Sequence, residues 1–175
     1  MAVIILLSKI FGLLRDVLVA DLYGTTAPAV AYETASRLPV LLFDLVLGGV
    51  VSALNVLCSR GDNVLLHSPT YIGFTHSLEN NGYHIVHSPL QQDEKGIWRM
   101  DFADMEEKIK ANNIHAMIFC SPHNPMGRVW EKWEIEAMMD LCKKWDVSVI
   151  SDEIWSDLTL CGYQHIPTQS VSEDA

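Results

Sequence analysis

The sequence predicts an α/β fold: a mostly parallel sheet with flanking helices, preceded by an apolar helical segment. Three observations lead there. After residue 60, apolar runs of strand length alternate with segments of helix length, the pattern of parallel strands joined by crossover helices. The runs end on turn signals such as Ser68-Pro69 and Ser121-Pro122. Charge is also divided unevenly. Lys9, Arg15 and Arg37 nearly balance Asp16, Asp21, Glu33 and Asp44, so all but one of the net ten negative charges lie after residue 54. Two parts are expected, an apolar helical segment over 1–54 and an α/β domain over 55–175.

In order along the chain, "NVLLH" predicts a strand near 63–67. "YIGFTHSLENNGY" predicts a short helix closed by Asn81-Gly82, and "HIVHSPL" a second strand near 84–88. "DEKGIWRMD" is a turn followed by a short extended piece. Asp101 is a candidate N-cap for a helix ending at Asn112-Asn113. "IHAMIFC" predicts a third strand near 115–120. "EKWEIEAMMDLCKKW" reads as an amphipathic helix with Trp133, Ala137, Leu141 and Trp145 on one face. "VSVIS" predicts a fourth strand near 147–151, a neighbour of the third. Ahead of these, helices are expected over much of 2–20 and about 38–58, with apolar surface left poorly covered.

Composition narrows the function classes. A net charge of −10 argues against a nucleic-acid backbone as partner. Cys58, Cys120, Cys142 and Cys161 form no CxxC pair and read as reduced thiols, which suits the cytoplasm. His84 and His87 are offset by an odd number on a strand and so face opposite ways, and no metal site is expected. The first 24 residues lack the basic n-region and cleavage site of a signal peptide. Pro39–Cys58, with the single acid Asp44, is the better candidate for a membrane span; the alternative is a buried helix.

In parallel sheets ligands bind outside the carboxyl ends of the strands. Tyr71, Asn124 and Asp152 fall at three such ends. Each has a plainer alternative: a core ring, a turn residue, and a carboxylate that has reached solvent.

"SPTY", "CSPHNPMGRVW" and "VISDEIWSDL" stand in the order and spacing of fold-type I pyridoxal 5′-phosphate enzymes. Arg60 to about Pro167 resembles the MalY/PatB branch, cystathionine β-lyases and related C–S β-lyases within the class I/II aminotransferases. The resemblance implies pyridoxal phosphate as cofactor, an amino-acid thioether as substrate and a homodimer for the intact enzyme. It implies that Asp152 keeps the pyridine nitrogen protonated and that Asn124, aimed by a cis Pro125, hydrogen-bonds the phenolic oxygen. It also implies that Tyr71 stacks on the ring and that Gly49, Val50 and Val51 offer backbone N–H groups to the phosphate at a helix N-terminus.

Two positions depart from that pattern. Trp155 stands where a Tyr or His is usual, offering one N–H donor and no acceptor. Met126 replaces the usual threonine of the Asn-Pro-Thr-Gly turn. In addition, the lysine that holds the cofactor as a Schiff base should follow the aspartate by about thirty residues in such enzymes. The last lysine of this sequence is Lys144, so the chain is expected to be an inactive fragment. Residues 5–53, with "KIFGLLRDVLVADLYG" and "ASRLP", resemble the start of MurJ/MviN-type lipid flippases, which makes membrane association of 1–54 conceivable. The leading reading is a fragment of a C–S β-lyase or aminotransferase. The alternatives are a flippase fragment with an α/β appendage, and a cofactor-free α/β interaction domain.

Overall fold

Each strand of the main sheet lies within a residue or so of where the apolar runs predict it. The computed structural model describes residues 45–171, together with Leu14, Val17, Leu18, Asp21 and Thr26. Helix α1 covers 45–57 among the described residues. It is followed by β1 (Asn63–Ser68), α2 (Ile72–Asn80) and β2 (His84–Pro89). A small antiparallel hairpin of β3 (Gln91–Gln92) and β4 (Trp98–Arg99) leads to α3 (Phe102–Asn112). Then come β5 (Ala116–Cys120), α4 (Lys132–Lys144), β6 (Ser148–Asp152) and a 3-10 turn at Thr168–Ser170. The expected helix over 2–20 lies outside the described residues except at Leu14, Val17 and Leu18, which are helical. The chain divides into units Met1–Leu45 and Val46–Ala175.

The main sheet has the order β2-β1-β5-β6, and every pairing in it is parallel. Both of its faces are buried, and the alternation of side chains shows how. Val64, Leu66, Ala116, Ile118 and Cys120 point into one core with Val50 and Leu54 of α1 and Phe74 and Leu78 of α2. Leu65, Met117 and Phe119 point into the other, with Met105 and Ile109 of α3 and Ile135 and Met138 of α4. A strand buried on both faces needs apolar residues at every position, which is why "VLL" and "AMIFC" read as continuous runs.

Local chemistry sets the element ends. Asp101 caps α3 by accepting the Asp104 N–H at 3.0 Å, and Asn113 closes the helix in the left-handed conformation at φ 49°. The expected apolar face of α4 needs correction. Trp133 is 49% exposed, while Ile135, Met138, Leu141 and Cys142 are buried together with the charged Glu134. The register that buries Ile135 and Met138 leaves Trp133 to lie on the surface, with Arg99 5.5 Å from its ring centre. Coverage of α1 is uneven: Leu54 is fully buried and Val56 is 85% exposed. Positions 54 and 55 both fall inside this helix.

Candidate functional site

Parallel strands bring their carboxyl ends to one side of the sheet, and there the chain sets its polar residues. Asp152 is the last residue of β6 and stands in register with Cys120, the last of β5. The Asp152 carbonyl accepts the Ser121 N–H at 2.9 Å, stitching the two strand ends together just where β5 turns away. The Asp152 carboxylate is half-buried and accepts the Ile154 N–H at 3.1 Å. Burial raises its pKa, the Ile154 hydrogen bond opposes this, and the neighbouring Glu153 charge raises it further. Such a carboxylate gains by receiving a cationic N–H donor. The Cys120 thiol beside it is pushed up to about 12, chiefly by burial, and is no nucleophile at neutral pH.

After β5 the chain makes a tight excursion. The Ser121–Pro122 and Asn124–Pro125 peptides are cis, the second as the resemblance implies. His123 donates its N–H to the Arg128 carbonyl at 2.8 Å and accepts the Gly127 N–H at 2.8 Å, so residues 123–128 close on themselves with Asn124 inside the turn. The His123 ring reaches the Pro69 carbonyl at 2.9 Å and ties this turn to the loop after β1. Trp130 is 2% exposed and donates its indole N–H to the Cys120 carbonyl at 2.9 Å, satisfying an acceptor at the strand end. Asn124 and Trp155 line the same cavity of about 460 Å³, which lies between this turn and residues 155–163.

Tyr71 is the N-cap residue of α2. Its ring is half-buried against the face of the core that holds Cys120, and it meets Phe74 edge-on at 5.5 Å. Asp152 and Tyr71 are not among the residues lining the 460 Å³ cavity. The structure thus joins Asn124 to Trp155 through the cavity, and Asp152 to the foot of the same turn through Ser121. The expected phosphate cradle differs. Residues 45–57 are continuously helical, so the N–H groups of Gly49, Val50 and Val51 lie inside α1 and not in its free first turn, and the Val50 side chain is buried in the core. Lys144 pairs with Glu106 at 2.8 Å on the surface at the end of α4, away from the strand ends.

Sequence reasoning missed the role of Glu153. Its carboxylate accepts Ser151 Oγ at 2.9 Å and the Thr168 N–H at 2.8 Å, and it pairs with His165 Nε2 at 2.8 Å. These bonds fasten the segment after β6 back onto the strand. The signal was present in "SDEIW", but only the fold brings residues 165–168 beside it.

Known proteins with this arrangement agree on one family. The family profile "Aminotransferase class I and II" matches residues 20–172. The chain is 41% identical over 130 residues to cystathionine beta-lyase PatB of Bacillus subtilis, covering 72% of this chain and 33% of that protein. It is 36% identical over 112 residues to protein MalY of Escherichia coli, covering 64% of this chain and 28% of MalY. A pyridoxal-phosphate-bound C–S lyase from Staphylococcus hominis superposes with a TM-score of 0.70 at 34% identity, over 74% of this chain and 33% of the lyase. The chain spans about a third of the length of these relatives. The flippase resemblance of residues 5–53 gains no support, since the aminotransferase profile itself runs from residue 20. Among the described residues, no helix is long and apolar enough to cross a membrane.

Proposed function

The chain belongs to the class I and II aminotransferase family, and we propose that it is a large-domain portion of a pyridoxal-phosphate-dependent C–S β-lyase of the MalY/PatB type, with an aminotransferase as the nearest alternative. The observation that carries this reading is the pairing of Asp152 with the Asn124 turn at the carboxyl ends of adjacent parallel strands. When bound, pyridoxal phosphate supplies an electron sink for a carbanion next to an amino-acid carboxylate. Asp152 suits its protonated ring nitrogen, because a carboxylate destabilised by burial is relieved by a cationic donor. The Asn124 side-chain amide suits the phenolic oxygen as a donor, and the Tyr71 ring offers an apolar face. Trp155 walls the cavity.

In this reading the substrate is an amino acid with a thioether at its β-carbon, and the intact protein is a homodimer in the cytoplasm. For the substrate, support comes from the C–S lyase relatives, and for the cytoplasm from four cysteines that are all free thiols. The apolar segment ahead of α1 stands as a separate part of the proposal, and the phosphate partner is not assigned to Val50 or Val51. The last lysine of the sequence is Lys144, so cofactor binding by these 175 residues is expected to be non-covalent at this site.

The test is a pyridoxal phosphate titration followed through tryptophan fluorescence, for which Trp155 is a local reporter. Saturable binding that weakens in Asp152→Asn and Asn124→Ala supports the reading. Borohydride reduction should then give only scattered, substoichiometric lysine labels, and cystathionine should release no thiol. Binding unaffected by either substitution would refute the assignment.

A further inference from the structure

Glu134 is a charged side chain with none of its surface exposed, one turn inside α4. An acid at this position of a helix normally caps the helix from the surface, and burying its charge costs several kcal/mol unless it is paired. Part of the capping role is kept, since Glu134 Oε2 accepts the Glu131 N–H at 2.9 Å. The rest of the carboxylate is turned inward. Oε2 also holds Arg128 Nη2, and Oε1 lies 3.1 Å from Arg99 Nη1.

Arg128 is fixed on every side. Its Nε donates to the Trp98 carbonyl at 2.9 Å, Nη1 donates to the Val129 carbonyl, and the guanidinium stands 5.3 Å from the Trp130 ring centre. The backbone of Arg128 closes the turn that contains Asn124, because its carbonyl receives the His123 N–H. A rigid guanidinium therefore sets where the far end of that turn lies, and Glu134 sets the guanidinium. Arg99 completes the frame, binding Asp93 at 3.1 Å and Glu131 at 2.8 Å and locking the β3–β4 hairpin, the source of the Trp98 carbonyl, to the start of α4.

We propose that Glu134 is a positioning residue for the cofactor-binding turn: through Arg128 it fixes the placement of Asn124 against the cavity. This rests on the cofactor reading above for its functional meaning, but the geometric part stands apart from it. A fully buried acid that hydrogen-bonds Arg128 and stands at ion-pair distance from Arg99 is more than helix capping requires, and Arg128 is the residue whose backbone closes the turn.

The experiment uses the 175-residue chain in two readouts. Amide resonances of the non-proline residues of 123–128, and of β5 and β6, are followed in ¹⁵N-labelled protein with and without Glu134→Gln, Arg128→Lys and Glu136→Gln. Glu136 is a surface control from the same helix that pairs with Lys132. Pyridoxal phosphate affinity is measured in parallel. We expect the 123–128 resonances to move in Glu134→Gln while those of β5 and β6 stay. Cofactor affinity should fall about tenfold, the scale at which loss of an outer support loosens a bound group. Glu136→Gln should change neither. If Glu134→Gln fails to fold, Arg128→Lys keeps the charge, removes the planar fork and reads the same resonances. Unmoved 123–128 resonances, shifts spread evenly through β5 and β6, or a moved turn with unchanged affinity would each overturn the proposal. Absence of cofactor binding by the unmodified chain would refute the cofactor reading, and the resonances would still decide whether Glu134 sets the turn.

Discussion

Tyr71 lies directly over Gly73: a Cβ added to Gly73 would stand 2.2 Å from Tyr71 Cε1. The ring keeps its place because residue 73 has no side chain. Gly73→Ala must push the ring aside, while alanine favours the helix by up to about 1 kcal/mol. The expected result is a free energy of unfolding within about 1 kcal/mol of the parent and a several-fold weaker affinity for pyridoxal phosphate. Fluorescence titration and urea unfolding measure the two separately. Unchanged affinity would remove Tyr71 from the site.

Asp152→Asn should separate stability from binding. Burial raises the Asp152 pKa above its unfolded value, so the native state binds the proton more tightly and stability from this group declines as pH rises through that native pKa. At neutral pH the charge is a cost, and its removal should raise stability by on the order of 0.5–1 kcal/mol. Cofactor affinity should fall in the same variant. Urea unfolding at pH 7 with and without cofactor checks both signs.

The His67 ring is 2% exposed, its pKa is lowered to about 3 chiefly by burial and then by His123, and the neighbouring His123 is lowered chiefly by burial too. His67 packs against Phe119, His123 and Trp130, and Asp104 of α3 is the acid that partly opposes the shift. Both rings stay neutral in the native state while the unfolded chain protonates them near 6.5. Their contribution is therefore complete above about pH 6.5 and is lost as pH falls towards the native values, by about 1.4 kcal/mol per pH unit for each ring that titrates. His67→Leu should flatten the decline between pH 6 and 4 by that amount. An unchanged slope in a pH series of urea melts would show that His67 does not carry it.

Glu153 has the opposite sign. Burial would raise its pKa, but the Thr168 N–H, His165, the Thr168 hydroxyl and Ser151 together lower it. Its stabilisation is present above the unfolded carboxyl value and lost as pH falls through the depressed native value. Glu153→Gln should cost about 1.5–3 kcal/mol at pH 7, the range for hydrogen bonds to a charged group, and progressively less as pH falls below the unfolded carboxyl value. Limited proteolysis should also cut faster between Leu158 and His165, where the fastening is lost.

The sequence by itself determined the strands of the main sheet, their parallel alternation with helices, and the identity of the residues at the strand ends. Period and turn chemistry are local properties, so "NVLLH", "AMIFC" and "VSVIS" could be placed within a residue or so, and Asp101 and Asn113 marked the ends of α3. The motifs around Tyr71, Asn124 and Asp152 indicated the family by the same local means. Tertiary structure alone decided which face of α4 is buried, because Trp133 and Ile135 are both apolar and only packing against the sheet chooses between them. It also decided that α1 runs unbroken through Gly49–Val51, since whether a helix begins at a glycine pair depends on what precedes it in space. The Glu134–Arg128–Arg99 frame and the Glu153–His165 clasp join residues 6 to 35 positions apart and 12 apart. No periodicity encodes such pairs. They exist because burying a charge is tolerable only where the fold delivers a partner.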